Sequence, residues 1–280
     1  MNLVIPADTV EMASGKGRKD ENFPVGVLIH PKLRPHVHAF YDFARNADDI
    51  ADHPDLTPEQ KIARLDVMDM VVSGARQAGS PSASRLRASL QAMAMPATHA
   101  RELLVAFRQD ATKQRYADWQ ELMDYCRYSA APVGRFVLDL HRENRASWPA
   151  SDALCASLQV LNHMQDCAED WRSLKRCYLP VNALNAAGIG VEALTAPVTS
   201  PALRGVFDEI LVKTSALNDA AQALPGQLRS RRMRLETGVI VRLAQRLHRR
   251  LGRQDPLAGR VKLRKADFVA ALLTALPHIA

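Results

Sequence analysis

Apolar residues return at three- and four-residue steps through most of this chain, and prolines and glycines interrupt the pattern at short intervals. That spacing lines up one apolar stripe on each of a series of α-helices. Residues 35–52 give a clear case: Val37, Phe40, Tyr41, Ala44, Ala47 and Ala51 share a side, and His53-Pro54 stops the helix because the residue before a proline is pushed out of the α region. Thr57-Pro58-Glu59-Gln60 restarts it, with Thr57 as N-cap, Pro58 in the first position and Gln60 placed to close a capping box; this helix runs to about Ser73. After a Gly79-Ser80-Pro81-Ser82 loop, helices are predicted at 83–93, 97–110, 116–129, 132–143, 151–174, 202–223, 227–251 and 266–276, with a looser connection around Gly188, Gly190, Pro197 and Pro201. Strand-like runs of Val, Ile, Thr and aromatics are few, so the fold class is all-α.

The chain has 280 residues, 47% of them hydrophobic, enough to bury one large core or two small ones. Its formal charge of +7 suits nucleic acid, an anionic membrane surface or a phosphorylated substrate without choosing among them. Cys126, Cys155, Cys167 and Cys177 make no CxxC pair, which argues against a zinc site or a disulfide framework and for reduced thiols in the cytoplasm. Asp8 and Glu11 sit where a signal peptide needs an apolar run, and no stretch approaches the roughly 20 apolar residues of a membrane span. Residues 1–22 are expected to be a flexible lead-in and 23–280 the folded domain. The Gly15-Lys16-Gly17-Arg18 run has no preceding strand and no Walker-type Lys-Ser/Thr, so it reads as basic lead-in rather than a phosphate loop.

Two carboxylate groups carry the chemistry. In Arg45-Asn46-Ala47-Asp48-Asp49-Ile50-Ala51-Asp52, Asp48 and Asp52 stand one above the other on a helix and Asp49 borders them. Three carboxylates this close repel one another, so the motif is either a solvated acidic helix end or a cation site. In the second, Asn162, Asp166 and Asp170 form an i, i+4, i+8 stripe with Glu169 beside it, on a helix whose Leu158, Val160, Leu161 and Met164 predict packing inside the protein. Buried carboxylates are costly unless paired or bound to metal. Two such helices facing each other would present only oxygen ligands, which favours Mg²⁺ or Mn²⁺ over zinc or copper. Mg²⁺ held by one or two carboxylates fills its shell with substrate phosphates, so a phosphorylated substrate is expected. A di-iron bundle would need Glu-x-x-His, and no glutamate here is followed by His at that spacing.

Arg172, Lys175 and Arg176 follow the second motif and either hold diphosphate oxygens or pair with Asp166, Glu169 and Asp170 along the helix. Arg229, Arg231, Arg232, Arg234, Arg242, Arg246, Arg249, Arg250 and Arg253 share a late helix and its exit, mostly away from the apolar side set by Leu235, Val239, Leu243 and Leu247. They form a solvated face or one drawn to anionic lipid headgroups. No helix-turn-helix, zinc-finger or RNP pattern accompanies them, so nucleic acid is not an expected partner.

The forms Arg-x-x-Asp-Asp-x-x-Asp (45–52) and Gln-Asp-x-x-x-Asp (165–170) resemble those of the squalene/phytoene synthase family. Arg176-x-Tyr178-Leu179-Pro180, and Tyr125-Cys126 with Ser129-Ala130 and Pro132-Val133-Gly134-Arg135, extend the resemblance, which runs from about Glu21 to the C-terminus. Within the family the chain is most similar to the bacterial hydroxysqualene synthase branch of hopanoid biosynthesis, through Glu21-Asn22-Phe23-Pro24-Val25, residues 43–52 and Asp255-Pro256-Leu257-Ala258. The resemblance implies one isoprenoid-synthase domain with a central cavity and Mg²⁺-dependent conversion of presqualene diphosphate to hydroxysqualene. It implies Asp48, Asp49, Asp52, Asn162, Asp166 and Asp170 as metal ligands, and Arg45, Asn162, Arg172, Arg176 and Tyr178 as diphosphate contacts. Asp48, Asp52, Asp166, Asp170 and Tyr125 would be catalytic, and Phe40, Tyr41, Tyr125 and Phe136 offer faces to a carbocation or simply pack. No G-x-G-x-x-G accompanies a strand and helix, so no NADPH is expected and water is the simplest quench. Head-to-head condensation of two prenyl diphosphates to presqualene diphosphate, squalene or phytoene stays open, as does a non-enzymatic prenyl-diphosphate-binding protein. The expected location is cytoplasmic, with peripheral contact on the membrane's inner face and other squalene-pathway enzymes as partners.

Overall fold

In the computed structural model the described residues, 9–12 and 29–276, form helices joined by turns; one isolated parallel bridge links Arg115 to Cys177. In chain order the helices are α1 (Arg34–Asp52), α2 (Pro58–Ser73), α3 (Pro81–Ala92), α4 (Thr98–Asp110), α5 (Trp119–Ser129), α6 (Ala131–Leu140), α7 (Trp148–Leu174), α8 (Val181–Ala186), α9 (Pro201–Ala221), α10 (Leu224–Gln227), α11 (Arg231–Leu251) and α12 (Lys265–Ala275). The Gly15–Arg18 run and the 21–25 match lie outside the described residues, as does the expected lead-in apart from residues 9–12.

Local chemistry explains most boundaries. The Thr57 hydroxyl accepts from the Gln60 N–H at 3.3 Å and the Gln60 side chain accepts from the Thr57 N–H at 2.9 Å, while Gly74 at φ 87° closes α2. Thr57→Ala removes this cap and is expected to cost about 1 kcal/mol, seen as a lower urea midpoint with an unchanged slope. Elsewhere the sequence expectation shifts. Asp118 accepts from the Glu121 N–H at 2.9 Å, so α5 begins at Trp119 rather than 116. The helix expected over 227–251 divides: α10 ends at Gln227, and Ser230 caps a fresh start at Arg231. The looser connection holds α8 and a 3₁₀ turn over Val191–Thr195.

The described residues fall into two compact units. One comprises the chain up to Lys113 with Arg135–Arg142. In it α1 packs on α2, α3 and α4, and Phe43, Ile50, Leu65, Met68, Leu86, Leu103 and Leu104 are fully buried. Phe136 stacks on Phe40 with ring centroids 4.0 Å apart. Residues 9–12, expected to be flexible, are instead held on this unit. Val10 is buried, its N–H donates to the Gly79 carbonyl at 2.8 Å and its carbonyl accepts from Arg64 at 2.9 Å. The Glu11 carboxylate accepts from the Ser80 hydroxyl and the Ser82 N–H, each at 2.6 Å, at the start of α3.

The other unit contains Gln114–Gly134 and Glu143–Ala280. Its 27-residue α7 packs against α5, α9 and α11, and α11 carries α12. Val160, Leu161, Met164, Cys167 and Ala168 are buried, as the apolar pattern of α7 predicts. Before α11 the chain turns on the buried Glu143 carboxylate, which accepts from the N–H groups of Arg229 at 2.7 Å and Ser230 at 2.8 Å.

Candidate active site

In the first unit, α1 buries Phe43, Ala47 and Ile50 on its inner side, and this sets where its polar residues go. Arg45 reaches forward one turn: Nη1 lies 3.1 Å from Asp48 Oδ2, and Nη2 and Nε lie 2.6 and 2.9 Å from Asp49 Oδ1. Asp49 is thereby buried on the guanidinium, whereas Asp48 keeps 35% of its side-chain surface open. Burial, then repulsion from Asp52, raises the Asp48 pKa to about 8; Arg45 opposes this, and Asp110 and Asp49 add to it. Asp110, buried at the end of α4, is a member of this group that sequence reasoning did not name.

The second unit places Asn162, Asp166 and Asp170 on α7 as expected. Asp166 is held by a residue 94 positions away: Arg260 Nε lies 2.7 Å from Oδ1 and Nη2 lies 2.9 Å from Oδ2. Burial raises the Asp166 pKa while Arg260 works against the rise. Next to it, the Gln165 amide donates to the Val261 carbonyl, so the chain after α11 is fastened to α7 at the motif. Asp170 Oδ2 is 3.9 Å from His163 Nδ1, and the His163 ring stacks on Tyr178 with centroids 3.5 Å apart. Tyr116 and Tyr125 complete this aromatic group, with Tyr125 5.2 Å from Tyr116 and 5.5 Å from Tyr178.

After Leu174 the chain reverses at Lys175 (φ 56°), so that the Arg176 N–H donates to the Asp170 carbonyl at 3.2 Å and Arg176 is buried. Tyr178 follows into the aromatic group. Arg172 goes the other way: its side chain is 65% exposed and lies 3.5 Å from Glu169, the helix-surface pairing that was one of its two expected roles.

Among the described residues no three His, Cys, Asp or Glu side chains converge on a common point as a complete metal site. The donors are all carboxylate or amide oxygens, and in the first unit Asp52, Asp110 and Asp49 add to the cost of ionising Asp48 while Arg45 offsets it. Such a set fits Mg²⁺ taking one or two carboxylates from the protein and its remaining ligands from water and phosphate. It does not fit a metal that needs a closed protein cage.

Known proteins are similar to this chain over most of its length. A family model described as squalene/phytoene synthase matches residues 17–267. A protein named hydroxysqualene synthase from Rhodopseudomonas palustris is 47% identical over 267 residues, covering 95% of this chain and 91% of its own. Another of that name from Sinorhizobium fredii is 45% identical, over 92% of this chain and 90% of its own. The crystal structure of squalene synthase HpnC from Alicyclobacillus acidocaldarius superposes with a TM-score of 0.72 at 29% identity, covering 81% of this chain and 87% of that one. The all-α fold is therefore that of the isoprenoid synthases. The family match takes in both carboxylate motifs, the aromatic group and the Arg260 segment, and the chain is an enzyme that belongs to the squalene/phytoene synthase family.

Proposed function

We propose that this enzyme converts presqualene diphosphate to hydroxysqualene in a Mg²⁺-dependent reaction. The observation that supports this most directly is its 47% identity, over nearly its whole length, to a protein named for that product. The C–O bond to diphosphate breaks with both electrons leaving on oxygen. The cyclopropylcarbinyl cation left behind rearranges, the oxygen of one water molecule adds to it, and one proton is released. The step is redox-neutral and calls for no hydride donor.

Asp48, Asp49 and Asp52 on α1 would offer metal ligands in the first unit, and Asn162, Asp166 and Asp170 on α7 would offer them in the second. Bound Mg²⁺ supplies charge neutralisation on the departing diphosphate. Arg45 holds Asp49 and Asp48 in place and adds a fixed positive charge beside them. Asn162, Arg172, Arg176 and Tyr178 are the further candidates for diphosphate oxygens, the last two brought back to α7 by the turn at Lys175. The faces of Tyr125, Tyr116 and Tyr178 give a cation-stabilising, water-poor wall.

After exhaustive chelation the enzyme is expected to release no diphosphate from presqualene diphosphate, and Mg²⁺ or Mn²⁺, but not Zn²⁺, restores release. Mass analysis should then show hydroxysqualene. Full activity after chelation would refute the metal assignment. A second reading, condensation of two prenyl diphosphates, draws support from the squalene synthase neighbour; presqualene diphosphate, squalene or phytoene formed from prenyl diphosphates alone would establish it.

The proposed substrate carries long apolar chains and the proposed product is almost wholly apolar, and we propose that the enzyme meets them at an anionic membrane surface. No helix among the described residues is long and apolar enough to cross a membrane, so contact would be peripheral. On α11, Arg246 and Arg250 are turned to Asp267 at 3.6 and 2.7 Å, and Arg234 donates to the Leu228 carbonyl. Arg231, Arg232 and Arg249 are left exposed.

A further inference from the structure

The last helix is built inside out. On α12 the residues turned to the protein are Asp267, Ala271 and Ala275, while Val269, Leu272, Leu273 and Leu276 are 59, 40, 61 and 43% exposed. These four stand at i, i+3, i+4 and i+7 and so form one continuous stripe. Single exposed aliphatics are ordinary, but three of the nine exposed large hydrophobics among the described residues fall on this one helix and a fourth, Leu276, caps it. The inner face is fixed without them: Asp267 accepts from Arg250 at 2.7 Å and from the Arg264 N–H at 2.7 Å, and Ala271 and Ala275 allow close approach to α11. The outward leucines therefore contribute little to holding α12 in place.

The exposed charges next to the stripe in sequence have one sign. Lys262, Arg264 and Lys265 are exposed, with Lys265 one turn before Val269 on the same face. The single acidic residue of α12, Asp267, is turned inward and paired. A stable protein interface uses about 20–30 residues a side, far more than one stripe of four side chains. A helix lying in a lipid interface needs only a narrow apolar stripe with basic residues beside it.

We propose that the outer face of α12 is the surface by which this enzyme seats on anionic lipid, with Val269, Leu272, Leu273 and Leu276 entering the acyl boundary and Lys262, Arg264 and Lys265 meeting headgroups. The inference rests on the membrane reading above and moves the contact from the α11 arginines to α12. It also sets the lipid contact close in sequence to the site, since the segment leading into α12 is the one fastened to α7 through Arg260–Asp166 and Gln165–Val261.

The full-length protein is sedimented with vesicles of phosphatidylcholine alone and of phosphatidylcholine with phosphatidylglycerol in a two-to-one ratio. The native protein is expected to bind the mixed vesicles, and Leu272→Ser/Leu273→Ser should lower its partition coefficient by more than about tenfold. Lys262→Gln/Lys265→Gln should cost about fivefold per residue on anionic vesicles and nothing on neutral ones. Both variants should melt at the native temperature; if the double serine variant does not fold, Leu273→Ser alone, at the most exposed position, replaces it. Native binding that the serine variant leaves unchanged overturns the α12 surface while leaving the membrane reading in place. No binding of the native protein to either vesicle overturns both. A change from dimer to monomer by light scattering, with vesicle binding intact, would assign the face to a second copy of the chain.

Discussion

Asp48→Ala is expected to lower diphosphate release by at least about a thousandfold while the helical signal and melting temperature persist. The expectation follows from the position of this carboxylate rather than from its packing. It is the partly open member of its group, and burial and the neighbouring Asp52 disfavour its charge, raising its pKa to about 8. Alanine removes that repulsion, so stability should stay level or rise. In the proposed reaction activity would lose a metal ligand, a loss of several kcal/mol of transition-state stabilisation, and roughly 4 kcal/mol is a thousandfold in rate. Asp48→Asn, which keeps the volume and one oxygen, should fall between. Asp52→Ala, Asp166→Ala and Asp170→Ala are expected to show comparable losses, with Asp166→Ala also freeing Arg260. Near-native turnover in any one of the four takes that residue out of the ligand set.

Phe43→Ala should be the opposite kind of variant, costing about 3–5 kcal/mol of stability. Phe43 is wholly buried, five residues before Asp48 on α1, and with Ala47 and Ile50 it fixes how that helix rolls on α3 and α4. Urea unfolding followed by circular dichroism measures the loss, and Phe43→Leu should recover most of it. If Phe43→Ala unfolds within about 1 kcal/mol of the native protein, the roll of α1 is set by something other than this core. Losses from Phe43→Ala should be partly reversed at low temperature, whereas those from Asp48→Ala should not.

What the sequence disclosed was local. The three- and four-residue steps located α1 to α7, α9, α11 and α12, and the Thr57–Gln60 capping box set the start of α2, because these are rules of near neighbours. Both carboxylate stripes were legible for the same reason. The partners of those stripes were not. Asp110 joins Asp48 only once α4 is laid against α1, and Arg260 reaches Asp166 across 94 positions. No spacing rule connects either pair. Arg172 is a different case, since residues two apart on a helix do not face the same way. Its departure from Asp170 was therefore available from numbering alone. The turn at Lys175, which returns Arg176 and Tyr178 to α7, depends on a non-glycine residue in the left-handed region, and nothing near it in the sequence announces that.

The hold of residues 9–12 on the first unit has a practical side. Glu11 serves as acceptor for two donors of the α3 start, and both Ser80 and Ser82 are fully buried. A truncated form beginning at Ala13 would leave a buried hydroxyl and a buried N–H without that acceptor, at about 1–3 kcal/mol for each, and would open the slot that Val10 fills. Trimming the amino terminus back to the first long helix, a common step in preparing a protein for crystals, would here cut away a working part of the α2–α3 corner. Tags and fusion partners are better joined ahead of Thr9, with the four residues that follow left as they are.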